Sequence, residues 1–444
     1  MKKRITPVQT LSLGYVAVIL FGAILLWLPF SSVNYQYSSF VDALFTSASA
    51  VSTTGLVVVD TGSYYSKFGQ VVIITLVQVG GLGYMIFFAF ISLSVGYRFT
   101  INGKRLLNES IARPTTIDLK RFTKSVILFT AFFEFIGAVV FIFIFLKRYP
   151  LAESVYSAVF HSISAFCTAG FSLYSDSFTF YANDFLTNLI IAIITIAGGI
   201  GFFVLHDVSQ YIVDIFKRKH PTRLTDHSKL VLLVTASLIV GGSFFIILTA
   251  DTNLNLNSLD SKIYASTFQT ISASTTTGFN SVDIGTMNAI SLLCVVFLMF
   301  IGASPGGTGG GIKTSTFGII LLFVKKVIGN RDEICVFNRR VSLSVVEKAI
   351  AITILAAVYL LFVVIVLAVS ERISIFQLLF EATSALGTVG LSMGITSNLS
   401  PLGKILIIIT MLVGRIGPLA IGYSLIGKPQ IKRYYYPKGN VVVG

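Results

Sequence analysis

The chain has 444 residues, 54% hydrophobic and only 12% charged, with a formal net charge of +14. Soluble domains are nearer a quarter charged, so an ordinary soluble globular protein is excluded. The basic residues form no single patch for a nucleic acid, and four scattered histidines with three scattered cysteines give neither a catalytic cluster, a metal site nor a disulfide framework.

In chain order, Lys2, Lys3 and Arg4 precede the first apolar run, Leu11 to Pro29. No small-residue cleavage site follows, and Leu26-Trp27-Leu28-Pro29 reads as a helix end at a membrane interface, so the run is a retained span rather than a signal peptide. Further runs long enough to cross a hydrocarbon core lie at Val231 to Leu248, Ala349 to Val369 and Ile405 to Ile426, the last broken by Arg415. Between the spans come basic segments at residues 98–124, 217–229 and 325–348, and a basic tail holding Lys428, Lys432, Arg433 and Lys438. With the N-terminus these hold 25 of the 33 Lys and Arg, whereas the alternate loops are rich in Asp. The positive-inside rule makes all five cytoplasmic, which predicts eight spans with both termini inside. A docking surface for a soluble partner is the other use of such basic loops.

One twelve-residue pattern occurs four times. Phe45 to Leu56 reads FTSASAVSTTGL, Phe160 to Phe171 FHSISAFCTAGF, Phe268 to Phe279 FQTISASTTTGF, and Phe380 to Leu391 FEATSALGTVGL. All fit F-x-x-x-S-A-x-x-T-x-G-[FL], and their glycines, Gly55, Gly170, Gly278 and Gly390, are 115, 108 and 112 residues apart. Self-similarity at a fixed period marks a repeat architecture. Each copy sits between two apolar spans, too short to cross as a helix and too apolar for an exposed loop. It therefore reads as a re-entrant segment, a half-helix followed by an extended return, tolerated at membrane depth only where protein or a water-filled cavity surrounds it.

The predicted fold is an all-α polytopic membrane protein. Four tandem span–half-helix–span repeats, at 9–97, 122–214, 228–328 and 345–426, stand in pseudo-fourfold order around one ion pore, with a cytoplasmic tail at 427–444. Each half-helix aims a partial negative charge inward, which favours a cation. Each Thr-x-Gly return offers carbonyl oxygens that can replace an ion's water shell. The candidate filter is Val51, Ser52, Thr53, Thr54 and Gly55 from the first repeat, and Cys167, Thr168, Ala169 and Gly170 from the second. The third gives Thr275, Thr276, Thr277 and Gly278, and the fourth Gly387, Thr388, Val389 and Gly390. These segments hold no carboxylate, which suits a monovalent ion better than calcium. Asp60, Asp176 and Asp283 follow three of the glycines closely, either to gather cations or simply to make turns.

Thr388-Val389-Gly390 resembles the start of the potassium-channel filter signature, and four non-identical pore loops in one chain resemble the Trk/Ktr/HKT superfamily of potassium transporters. The resemblance covers residues 9 to 426 and, since no extra N-terminal spans precede the first repeat, leans to the membrane subunits of bacterial Ktr systems. It implies potassium rather than sodium, because a serine in place of the first filter glycine goes with sodium in that superfamily and glycine stands at all four positions here. It further implies a homodimer with one pore per subunit, a cytosolic ring of nucleotide-binding regulatory subunits, and sodium-dependent uptake. No cofactor is expected beyond the transported potassium ion. The rival readings are an alternating-access cation carrier, which would more often show inverted repeats, and a sodium-permeable member of the same superfamily.

A second pattern lies about 25 residues beyond three of the filter glycines: Gly80-Gly81-Leu82-Gly83, Gly198-Gly199-Ile200-Gly201 and Gly414-Arg415-Ile416-Gly417. Close helix packing explains small residues of this kind. The third repeat departs, with Gly302-Ala303-Ser304-Pro305-Gly306-Gly307-Thr308-Gly309-Gly310-Gly311 where a helix should run. Such a stretch breaks a helix and must line a cavity. It is not a phosphate loop, since Ile312 separates Gly311 from Lys313 and spoils the spacing. It reads as a gate, with Lys313 directed to headgroups, loop carbonyls or an acid, and with Arg415 either pairing with loop carbonyls or limiting passage. Glu134, in an opening span, reads as a packing or dimer-contact residue.

Overall fold

The computed structural model describes residues 7–83, 119–217, 223–249, 259–330 and 332–417. The N-terminal basic cluster, most of the 98–124 segment and the tail at 427–444 lie outside the described residues.

Four units repeat the same order. The opening helices are α1 (Pro7–Trp27), α4 (Leu119–Phe145), α8 (Asp226–Thr249) and α12 (Leu343–Ser370). Each is followed by a half-helix: α2 (Phe40–Val51), α5 (Leu151–Phe166), α9 (Leu259–Ser274) and α13 (Ile375–Gly387). Closing helices are α3 (Lys67–Leu82), α6 (Phe185–Gly199), α10 (Ala289–Ile301) and α14 (Pro401–Ile416). Two helices continue beyond a break, α7 (Phe202–Phe216) after α6 and α11 (Thr314–Ile328) after α10. A hairpin of β1 (Cys335–Val336) and β2 (Arg339–Arg340) pairs Cys335 with Arg340 and joins units three and four. Its two turn residues, Phe337 and Asn338, both have positive φ, as a tight hairpin turn requires. Arg339 meets Asp226 at 3.1 Å and so ties the hairpin to the start of α8.

The helices have local causes. Every closing helix starts at a capping side chain: Ser66, Asp184, Asn288 and Ser400 accept the N–H of Gly69, Thr187, Ser291 and Gly403. Each cap contributes about 1 kcal/mol. Among the described residues three helices, Arg121–Phe145, Asp226–Thr249 and Leu343–Ser370, are long and apolar enough to cross a membrane, and α6 and α7 together are apolar enough but bent by 108° at their break. Only 22–33% of the most apolar windows of the three long helices is buried within the protein. Exposed Phe132, Phe135, Phe244, Val358, Leu361 and Phe362 make their outward faces lipid-compatible. The protein core lies instead at the half-helices: every residue of α2 from Phe45 to Val51 is buried, as is every residue of α13 from Phe380 to Gly387.

The closing helices, beyond the break expected in the third, differ from the continuous spans that the sequence suggests. They have only 16, 15, 13 and 16 residues. That is about 20–24 Å, short of a bilayer core of about 30 Å. Helix α10 stops at Gly302, whose φ is 68°, and the other three stop at the second glycine pattern. Its first glycine does pack closely, because a Cβ at Gly80, Gly198 or Gly414 would overlap the carbonyl of Val51, Phe166 or Leu386 at the end of the half-helix. Its last glycine ends the helix, with φ of 77° at Gly83, 97° at Gly201 and 98° at Gly417. In unit two α7 starts two residues after the end of α6, whereas in unit three residues 302–313 lie between α10 and α11.

Candidate functional site

The four pattern copies converge, and each pattern residue has a task. The phenylalanines Phe45, Phe160, Phe268 and Phe380 and the alanines Ala50, Ala165, Ala273 and Ala385 are buried anchors. The serine carbonyl receives the N–H of the residue before the glycine: Thr54, Ala169, Thr277 and Val389 donate to Ser49, Ser164, Ser272 and Ser384, each at 2.8 Å. The serine hydroxyl also grips the return strand. Ser49 and Ser384 accept the N–H of Gly55 and Gly390 at 3.0 Å, while Ser164 and Ser272 donate to the carbonyls of Phe171 and Phe279. The strand N–H groups thus point back into the protein.

Backbone handedness alternates along each strand. Thr53, Thr168, Thr276 and Thr388 have φ of 54°, 50°, 57° and 50°, and the glycines two residues on have 87°, 68°, 84° and 94°. Alternation of this kind turns successive carbonyls to one side. The threonine conformation costs about 1–3 kcal/mol each, which the surrounding structure must offset.

The glycines meet in a closed cycle. A Cβ on Gly55 would overlap the carbonyl of Ala169, one on Gly170 that of Thr277, one on Gly278 that of Val389, and one on Gly390 that of Thr54. Among the described residues no backbone N–H donates to these four carbonyls. On the glycine side all four glycines border one cavity of about 270 Å³, whose lining includes Asp60 and Asp283 but not Asp176. Both acids also serve turns, since Asp60 accepts the N–H of Ser63 at 2.7 Å and Asp283 that of Gly285 at 2.9 Å.

On the threonine side lies the glycine-rich segment 302–311, touching all four strands. The carbonyl of Thr308 accepts the Thr53 hydroxyl at 3.1 Å, and the Thr308 hydroxyl is 2.9 Å from that of Thr168. A Cβ at Gly309 would overlap the Thr276 hydroxyl, and one at Gly310 the Thr388 hydroxyl. The segment is pinned to the break in unit two: Ser304 and Thr308 donate N–H groups to the carbonyls of Gly199 and Gly198 at 3.0 and 3.1 Å, and Phe202 donates to Gly306 at 3.0 Å. Ala303 donates to Gly310 at 3.2 Å and Gly302 closes on Gly311, so the segment forms a compact loop. Pro305 and Gly307 lie on its half-buried tip.

Two basic side chains hold the loop. Lys313 donates to the carbonyls of Gly309 and Gly310 at 2.7 and 3.2 Å, which selects loop carbonyls among the partners open to it. Arg415 donates to the Thr308 carbonyl and to the Thr53 hydroxyl at 3.1 Å, and its other nitrogen reaches the carbonyls of Gly80 and Gly81. It thereby links units one, three and four directly beneath the strands. Glu134 lies on α4, with its carbonyl accepting the Ser162 hydroxyl at 2.6 Å and one carboxyl oxygen buried without a hydrogen-bond partner among the described residues.

Sequence reasoning did not name the pattern serines as site residues, although their recurrence marked them. It also passed over the residue after each phenylalanine, which differs in all four copies and so carries no repeat signal.

The sequence matches the profile of the TrkH family, described as a cation transport protein, over residues 5–428. The chain belongs to the TrkH family. It is 36% identical over 445 residues to the Ktr system potassium uptake protein B of Bacillus subtilis, covering 99% of this chain and 97% of that protein. It is 33% identical over 454 residues to the potassium/sodium uptake protein NtpJ of Enterococcus hirae, covering 100% and 98%. The crystal structure of the potassium transporter TrkH from Vibrio parahaemolyticus superposes with a TM-score of 0.69 at 19% identity, covering 94% of this chain and 85% of that one, so the folds agree. A member of the TrkH family is a multi-pass transport protein of the cell membrane, not an enzyme.

Proposed function

We propose that this chain takes up potassium through a pore on the axis of the four return strands, with the Thr-x-Gly carbonyls as its selectivity filter and the 302–311 loop as its gate. One observation carries the reading. The four strands close in a ring, with an open cavity on one side and loop residues 308–310 against all four threonines on the other. Neutral carbonyl rings suit a monovalent cation, and potassium is named for both relatives, with sodium beside it for one.

The same reading takes the units as pseudo-fourfold repeats, with eight spans and both termini in the cytoplasm. Dehydrated cations leaving the filter would meet the loop, Lys313 and Arg415 in turn. A bias from the cytoplasmic side would open the path by moving the loop. A soluble regulatory partner is part of the proposal, supported by a relative named as protein B of a Ktr system; a second copy of the chain completes the proposed assembly. Sodium dependence is part of the proposal, supported by a relative named for both ions.

The test is rubidium or potassium uptake in cells lacking other uptake systems, with and without a co-expressed regulatory subunit. Concentrative uptake that rises with expression of the chain is expected. No flux in either condition, with the protein present in the membrane, would defeat the proposal.

A further inference from the structure

The position after the phenylalanine of each copy holds Thr46, His161, Gln269 or Glu381, each no more than 1% exposed. In unit four, the Glu381 carboxylate accepts the Ser392 hydroxyl at 2.8 Å and the Thr396 hydroxyl. Ser392 lies two residues beyond Gly390, and both partners line the glycine-side cavity. In unit two, His161 makes the matching connection. Its Nδ1 is 2.8 Å from the Ser157 carbonyl, which assigns the proton there. Its Nε2 accordingly accepts from the Leu173 N–H at 3.2 Å and lies 3.0 Å from the Ser172 hydroxyl, two residues beyond Gly170.

Units one and three lack this strut. Thr46 is engaged by the Tyr65 hydroxyl at 3.1 Å and by the Asp42 carbonyl, and Val57 stands where units two and four have serine. The Gln269 amide has no hydrogen-bond partner among the described residues, and Asn280, in the serine's place, turns to the Val282 carbonyl. The glycine contacts run in the order one, two, three, four and back to one, so units two and four face each other.

We infer that Glu381, with His161 opposite it, is a positioning residue for the cavity-side end of the filter: the two tie back opposing strands and set how tightly the first ion position is held. The inference rests on the pore reading above. Releasing a strut frees the strand beyond the glycine, so capture of a dilute ion suffers before maximal flux does. Losing a pair of buried hydrogen bonds corresponds to roughly a tenfold weaker half-saturation.

The experiment is a double-mutant cycle on potassium-competed rubidium uptake, reading KM and maximal rate separately. Glu381→Ala is expected to raise KM about tenfold with a smaller loss of maximal rate. Ser392→Ala with Thr396→Val, which leaves the buried helix position intact, should reproduce most of that rise. Adding Glu381→Ala to it should add little, because coupled residues are not additive. Gln269→Leu, which removes an amide with no partner, should leave KM unchanged. If the Ser392→Ala/Thr396→Val protein keeps the parent KM, or if Glu381→Ala lowers only the amount of folded protein, the positioning role is wrong. Absence of flux from the parent chain sinks the pore reading instead, so the two failures are separate.

Discussion

At the residue scale, Gly55, Gly170, Gly278 and Gly390 answer two demands at once. Their φ values lie in the left-handed region, and the space a side chain would take is filled by a neighbouring strand's carbonyl. A serine there would push that carbonyl off the axis and distort the ring between two strands. Gly55→Ser is therefore expected to fold and to shift the potassium-to-sodium preference toward sodium about tenfold, a change of roughly 1.4 kcal/mol between the two ions. Competition between the ions in uptake checks it; unchanged preference in all four Gly→Ser variants would remove the strands from selection. The pattern serines invite a stability prediction. Ser49→Ala strips the Gly55 N–H of its buried acceptor. A loss of about 1–3 kcal/mol is expected, read as a lower melting midpoint in detergent, with Ser49→Thr milder than Ser49→Ala.

At the element scale, the repeat was legible because every half-helix needs the same anchors and the same grip on its return strand, and identical tasks leave identical letters. The ends of the closing helices were not. Gly-x-x-Gly suits both helix packing and helix termination, and only the carbonyls met by its first glycine and the φ of its last separate the two. The loop's seat was equally hidden: composition said that residues 302–311 could not be helical, but not that Gly198 and Gly199 would hold them. Arg415 supplies the prediction at this scale. It binds the loop at Thr308 and places a fixed positive charge under the strands. Arg415→Ala should raise rubidium flux through the chain about 5- to 30-fold, equivalent to lowering a barrier by 1–2 kcal/mol. Arg415→Lys keeps the charge but loses the forked donor set, so it should raise flux less. Equal flux in parent, Ala and Lys proteins would put the barrier somewhere other than this loop.

For the whole molecule, a ring made from one chain has three covalent seams and one that is not. The junction of unit four with unit one must hold by contact alone. Polar links cross it: Lys404 on α14 meets Asp42 on α2 at 2.7 Å, and Arg415 reaches Thr53, Gly80 and Gly81 from the same helix. Nearby, Glu371 accepts the Ser400 N–H at 3.1 Å and fixes the start of α14. The Asp42 and Lys404 side chains are only 23% and 13% exposed, so each charge depends on the other more than a surface pair would. Removing one partner strands a poorly solvated charge, whereas removing both leaves two neutral groups in contact. Lys404→Met and Asp42→Asn should each lower stability by about 1–3 kcal/mol, and the double variant by less than either. The measurement is the thermal midpoint of monodisperse protein by size exclusion, alongside rubidium uptake. If the single variants match the parent, or if the double variant loses the sum of both, the pair does not hold the seam, and closure of the ring rests on the apolar packing of α14 against α1 and α2.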